Sequence, residues 1–240
     1  MEYRLRVSSW VRTLSLRVGV EGRLEVIAPR RYSRRTIAGV LARERVWIER
    51  ALADAETRRR ALPSPPAWRI PEEVRLPAVD AGWPVVVRSA TRRGVRVATT
   101  GTGELEVSGH VADLAACRRA LRRWLVREGY AHLVPWLAQV SRALELPYAG
   151  CAVRLARTRW GNCSRTRVIG LNARLLLLPP PLVDYVLVHE LCHTRELNHS
   201  PAFWDLVARY CLEYRRLRVH LRAAGTQLPV WVLDPEEHGA

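Results

Sequence analysis

The first periodic signal along the chain has period two. In "RTLSLRVGVEGRLEVIAP", residues 12–29, apolar and polar positions alternate on both sides of "VEG". Successive side chains of a strand point to opposite faces, so the pattern predicts two half-buried strands, and the glycine-containing break predicts a hairpin. The period then lengthens. From Ser33, the run "SRRTIAGVLARERVWIERALADAETRRR" places Ile37, Val40, Leu41, Ile48 and Leu52 at helical spacing. Ser33 suits the N-cap, where its hydroxyl accepts from an otherwise unpaired N–H of the first turn. This helix, about 33–60, is expected to end before the proline cluster "LPSPPAW" at 62–68, because proline lacks the N–H and clashes with the preceding turn.

Strand character returns over 73–108, in "EVRLPAV", "WPVVVRSA", "GVRVATT" and "ELEVSG", with turns at Gly94 and in "TGTGE". Residues 111–146 read as helical, and Gly129 and Pro135 predict a kink or short break within them. Short strands are expected around 151–157 and 167–172. The stretch "PPPLVDYVLVHELCHTREL" opens with prolines that suit a helix start, and a last helix, about 201–222, begins near Pro201. Trp231, in the short tail after Gly225, is expected to pack onto the body. The fold class is therefore α+β: a mostly β N-terminal region over 1–110, made of hairpins plus one helix, then a mainly helical domain over 111–240.

Composition narrows the setting. The chain has 240 residues, 48% of them hydrophobic, enough to bury a substantial core in one large domain or two small ones. The opening "MEYRLRVSSW" has no apolar core of signal-peptide type, and no run approaches the roughly 18 apolar residues that span a bilayer. The expected location is cytoplasmic, with no membrane partner. Cys117, Cys151, Cys163, Cys192 and Cys211 are odd in number and form no CxxC pair, so they read as small buried residues rather than a disulfide framework. Lys plus Arg number 39 against 23 acids, a formal charge of +16, and every basic residue is arginine. Such a chain attracts polyanions, which brings nucleotides or nucleic acid in as partners. The arginines are spread along the whole chain, however, and no base-stacking pattern accompanies them, so that reading rests on charge alone.

The densest chemistry lies in "VLVHELCHTRELNHSPAFW", residues 186–204. On a helix each residue advances about 100°. His189 and His193 therefore lie about 40° apart on one face, one turn above the other, and can bind one ion. Glu190, on the same side, can reach a water on that ion without ligating it. This is H-E-x-x-H: two zinc ligands and a general base. His199, six residues past His193, would point about 120° away on an unbroken helix. The helix is therefore expected to turn after about Leu197. Asn198 tolerates the left-handed conformation of a helix end, and Pro201 discourages continuation. Three neutral imidazoles plus one water make an open catalytic-type zinc site, in which the ion lowers the pKa of the water to near 7 and Glu190 takes its proton.

Other residues nearby carry weaker readings. Cys192 lies nearly beside His189 on the wheel and reads as core. Asp205 and Glu196 could bond the second nitrogen of a ligand histidine, and both also read as ordinary surface acids. His110, His132, His220 and His238 stand alone.

The segments "TRWGNCS" (158–164) and "IGLNARLLLLPPPLVDYVLVHELCHTRELNHSPAFW" (169–204) resemble the YgjP-like metal-dependent hydrolases, relatives of the zincin metallopeptidases. "RTLSLRV" and "APRRYSRRTI…WI" resemble that family's opening β-hairpin and helix more weakly, and 60–110 only loosely. The resemblance implies a zincin-like C-terminal domain with His189, His193 and His199 as ligands and Glu190 as base. It adds the segment around Arg159–Trp160–Gly161 to the site region. Two departures, Asn162 where the family usually has Ser and Leu212 where it has Pro, bear on the shape of the cleft and not on the ligands. As a loop or strand edge facing the metal, "TRWGNC" could hold a peptide by main-chain hydrogen bonds. Arg159 or Asn172 could stabilise a developing oxyanion. Against this, Arg159 could pair with a carboxylate, and Trp160 fits the core.

The leading expectation is a zinc-dependent hydrolase, a metallopeptidase with one Zn2+ per chain and a peptide or protein substrate. Imidazole sites also take iron, nickel or copper. Two alternatives stay open. One is a metal-dependent hydrolase of nucleotide phosphoanhydrides, suited to the arginine surplus but lacking a Gly-rich phosphate loop. The other is a basic nucleic-acid-binding protein with a structural zinc, for which four ligands are usual and three are evident.

Overall fold

The computed structural model describes residues 3–8, 11, 13–18, 23–61, 68–91 and 93–233. The chain divides into two compact units, Met1–Ala67 with Asp234–Ala240, and Trp68–Leu233.

The first unit holds a three-stranded sheet of β1 (Tyr3–Val7), β2 (Ser15–Val18) and β3 (Leu24–Ala28), in the order β1-β3-β2. β2 and β3 run antiparallel with Leu16 opposite Val26, which is the expected hairpin pairing. The "VEG" break itself lies outside the described residues. β1 runs parallel to β3 and has no counterpart in the sequence reading. All five of its residues are exposed, so no buried face imprints a pattern on them. The helix follows as α1 (Arg34–Arg43) and α2 (Arg45–Ala61), divided at Glu44. The N–H of Thr36 donates to Ser33 Oγ at 3.1 Å, as the capping argument requires. Leu24, Val26 and Ala28 pack with Ile37 and Ile48 as this unit's core.

The second unit opens with β4 (Glu73–Leu76), β5 (Ala81–Ser89), β6 (Val95–Thr99) and β7 (Leu105–Gly109), in the order β4-β5-β7-β6. β4–β5 and β6–β7 are antiparallel; β5–β7 is parallel, so the region is not a plain run of hairpins. Val97, Leu105 and Val107 on this sheet share a core with Leu121, Trp124 and Leu125 of α3 (Leu114–Leu144). A sheet with one apolar face must cover it with another layer. The boundary expected at 110 therefore falls inside a unit that begins at Trp68.

α3 runs unbroken through Gly129 and Pro135. Gly129 is there for close packing, not for a break. A Cβ at that position would stand 2.7 Å from Val153 Cγ1 and 3.3 Å from Ala173 Cβ. Val153 belongs to β8 (Gly150–Arg154), which with β9 (Gly161–Cys163) and β10 (Val168–Asn172) forms a second sheet, in the order β8-β10-β9. A 3-10 turn, Ala173–Leu177, leads into α4 (Pro180–Cys192).

The last helix expected over 201–222 is two helices, α5 (Pro201–Tyr210) and α6 (Tyr214–Ala224). Cys211 between them is extended, and Leu212 is 90% exposed. The bend allows Tyr214 to stack on Trp204, ring centroids 5.4 Å apart, and α5 and α6 both pack against α4. Trp231 is buried in the closing turn, and Arg118 donates to the carbonyls of Val230 and Leu233 there.

Candidate metal centre

α4 is buried on nearly every side: Leu182, Val183, Tyr185–Val188 and Glu190–Cys192 are all inaccessible. It brings His189 and Glu190 into the interior at its C-terminal end. The helix stops at Cys192, five residues before the expected turn near Leu197. The reversal does not use a left-handed Asn198; among the described non-glycine residues only Asp80, Glu145 and Arg167 have positive φ. Tight turns do the work instead. The N–H of Thr194 donates to the Leu191 carbonyl at 2.9 Å, Thr194 Oγ1 donates to that same oxygen at 2.7 Å, and the N–H of Arg195 donates to the Cys192 carbonyl at 3.0 Å. These bonds satisfy carbonyls that a helix end leaves open. Ser200 then caps α5, its Oγ accepting from the Phe203 N–H at 3.3 Å, with Pro201 in the first helical turn.

The result is convergence. His199 Nε2 lies 3.1 Å from His189 Nε2 and 3.2 Å from His193 Nε2. Nδ1 of His193 lies 2.8 Å from the Glu196 carbonyl. A carbonyl only accepts, so Nδ1 carries the proton and Nε2 presents a lone pair. Three imidazoles cannot satisfy one another through three mutually facing nitrogens, but a shared cation satisfies all three. In a tetrahedral zinc site with bonds of about 2.0–2.1 Å, ligand nitrogens stand about 3.3–3.4 Å apart, close to the spacing here. These three residues form the metal-competent group of His, Cys and carboxylate side chains among the described residues.

The electrostatics match. Burial, then the neighbouring His193, His199 and Arg218, hold the His189 pKa down to about 3. Burial lowers that of His193, and burial followed by Arg218 lowers that of His199. Neutral imidazole is the form that binds metal. Glu190 is 5% exposed and its Oε2 has no hydrogen-bond partner. Burial pushes its pKa up to about 8, against the opposing pull of the Arg159 guanidinium. Nδ1 of His189 is likewise buried without a partner. Gly161 on β9 lies hard against the acid: a Cβ there would stand 2.6 Å from both Cγ and Oε1 of Glu190.

The remaining sequence candidates separate. Arg159 is exposed and close enough to Glu190 to affect its charge, and its guanidinium makes no hydrogen bond or salt bridge among the described residues. Asn172 is only 3% exposed, and its Nδ2 donates to the carbonyls of Ala156 and Arg159, both at 2.8 Å. With both amide hydrogens committed, it holds the 156–160 loop in place and has no donor left for an oxyanion. Trp160 is partly buried against the core. Asn162 Oδ1 accepts from Arg154 at 3.0 Å across the sheet. Cys192 is fully buried in the core, where burial pushes its thiol up to about 12, and it lies outside the histidine cluster. Glu196 serves His193 through its backbone, not its carboxylate, and Asp205 is exposed. His110, His132 and His220 are outside the cluster, and His238 lies outside the described residues.

Sequence reasoning missed the aromatic wall. Phe203, the one phenylalanine of the chain, stacks on His193 at 4.3 Å and stands edge-on to His189 and His199, each at 4.9 Å. Trp204 stacks on His199 at 5.5 Å, and the Arg218 guanidinium sits over Trp204 at 4.7 Å. The only available signal was adjacency of "PAFW" to His199.

A cation-ready trio of imidazoles beside a buried, unpartnered acid puts the protein among the metal-dependent hydrolases. Comparison with known proteins gives the family. The YgjP-like, metallopeptidase domain matches residues 12–224, and the chain belongs to that family. No curated protein matches it in sequence. Among solved structures, the crystal structure of the metallopeptidase zymogen of Pyrococcus abyssi abylysin is similar at 21% identity and a TM-score of 0.34. That similarity covers 37% of this chain and 90% of the other.

Proposed function

We propose that the protein is a zinc-dependent metallopeptidase in which His189, His193 and His199 hold one ion and Glu190 is the general base. The observation that carries this reading is the approach of three Nε2 atoms beside a carboxylate oxygen with no partner of its own. When bound, zinc supplies Lewis acidity, polarising a scissile carbonyl and lowering the pKa of an attacking water toward about 7. Glu190 takes the proton of that water at its free oxygen and passes it to the leaving amine. Burial gives this carboxylate a high proton affinity, and Arg159 draws it back toward ionisation. Gly161 leaves the space in which the carboxylate stands. The hydrogen bond from His193 to the Glu196 carbonyl holds that ring in the ligand tautomer.

β9 is an edge strand, paired with β10 on one side only among the described residues. Its open edge suits an extended peptide, added as a further strand beside Glu190. We assign the negative charge growing on the substrate carbonyl oxygen to Arg159, two residues before β9, whose charge acts on Glu190. The substrate class is therefore peptide or protein.

The test is Glu190→Gln. We expect it to retain one zinc per chain and to lose at least about 10²-fold in hydrolysis of an unfolded protein such as casein. Wild-type activity in this variant contradicts the assigned base.

A further inference from the structure

We propose that Arg218 is a specificity residue that recognises a carboxylate of the substrate; this rests on the metallopeptidase reading above. α6 carries Arg215, Arg216, Arg218 and Arg222. Arg215 sits over the Tyr214 ring at 5.1 Å, and Arg216 pairs with Glu213 at 3.3 Å. Arg218 lies over Trp204 instead. Its guanidinium carbon stands 4.7 Å over the Trp204 ring, and Trp204 lies face to face with His199, 23° from parallel. Those spacings together put the guanidinium within about 10 Å of the His199 ring, a distance an extended peptide crosses in about three residues.

Arg218 is exposed and has no hydrogen bond or carboxylate partner among the described residues. A substrate carboxylate supplies the anionic partner that this exposed guanidinium lacks. The contact with Trp204 is of the cation–π kind and uses no hydrogen-bond acceptor, so the N–H donors of the guanidinium are left for a carboxylate. The carboxylate belongs to a residue within about three positions of the scissile bond. It is either the peptide's C-terminal group or an acidic side chain.

The experiment is calorimetric binding to the zinc-loaded, full-length Glu190→Gln protein, which binds without turnover. The probes are N-acetyl-trialanine, its C-terminal amide, and N-acetyl-Ala-Glu-Ala amide. We expect one or both carboxylate probes to bind about tenfold tighter than the neutral amide, and which one does so identifies the source. Adding Arg218→Leu should bring that ratio to about one, with Arg218→Gln as a second variant, and zinc content and circular dichroism unchanged. Equal affinities with Arg218 present overturn the proposal, as does absence of binding by all three. A preference that survives loss of Arg218 overturns it too, because the ion itself then holds the carboxylate. Casein hydrolysis by the wild type, measured separately, reports on the metallopeptidase reading, so the two failures are distinguishable.

Discussion

Glu190 shows how one residue's environment sets its chemistry. An ordinary glutamate titrates near 4.5; burial moves this one to about 8 in the metal-free chain. The sign for stability follows directly. Raised proton affinity in the folded state contributes stability fully below pH 4.5, and the contribution disappears as pH rises through about 8. Glu190→Gln has no such dependence. With chelator present, the melting temperature of wild type relative to the variant should fall between about pH 5 and pH 9. A constant difference contradicts a buried free acid. Gly161→Ala should act on the same group from the other side. The new methyl displaces the carboxylate, and we expect kcat/KM to drop about 10²-fold, since misplacement of about 1 Å costs that much. Zinc content should stay at one per chain; an unchanged kcat/KM contradicts the packing of Gly161 on Glu190. At this scale His189, Glu190 and His193 were legible because they lie on α4 and its C-cap, where helix geometry fixes what neighbours what; His199 was legible from its spacing, which required the chain to turn. The contact of Gly161 with Glu190 spans 29 positions of sequence, and no local period reports it.

Among the elements, strands and helices that bury apolar residues were legible, and the strand that buries none was not. β1 exposes every residue and left no signal. The split of α5 from α6 was invisible because both halves keep the same helical period, and the break at Cys211 serves a tertiary stack of Tyr214 on Trp204. The sequence required the chain to reverse after His193 but placed the turn at the wrong residue. Asn198 is a good left-handed residue by local rules, yet Thr194, which seals the Leu191 carbonyl with both its N–H and its hydroxyl, ends the helix sooner. Gly129 failed as a breaker for a related reason: its role is contact with β8. Alanine is favoured over glycine by about 1 kcal/mol inside a helix, so Gly129→Ala discriminates between the two roles. Close packing predicts net destabilisation of about 1–3 kcal/mol in urea unfolding; stabilisation contradicts it.

For the whole molecule, the +16 charge first suggested polyanions. In the second unit several arginines have structural duties. Arg118 and Arg122 hold the carbonyl of Leu233, Arg127 donates to that of Val97, and Arg174 to that of Val232. These bonds tie the sheet and the closing turn together, and they account for part of the surplus without any nucleic acid. No helix among the described residues is long and apolar enough to cross a membrane. The central claim is the three-histidine centre, which draws on the end of α4, the loop after it and the start of α5. Metal content by mass spectrometry, for wild type and His199→Ala side by side, tests it most directly. The account predicts about one zinc per wild-type chain and much less in the variant. Full retention of metal in His199→Ala contradicts it.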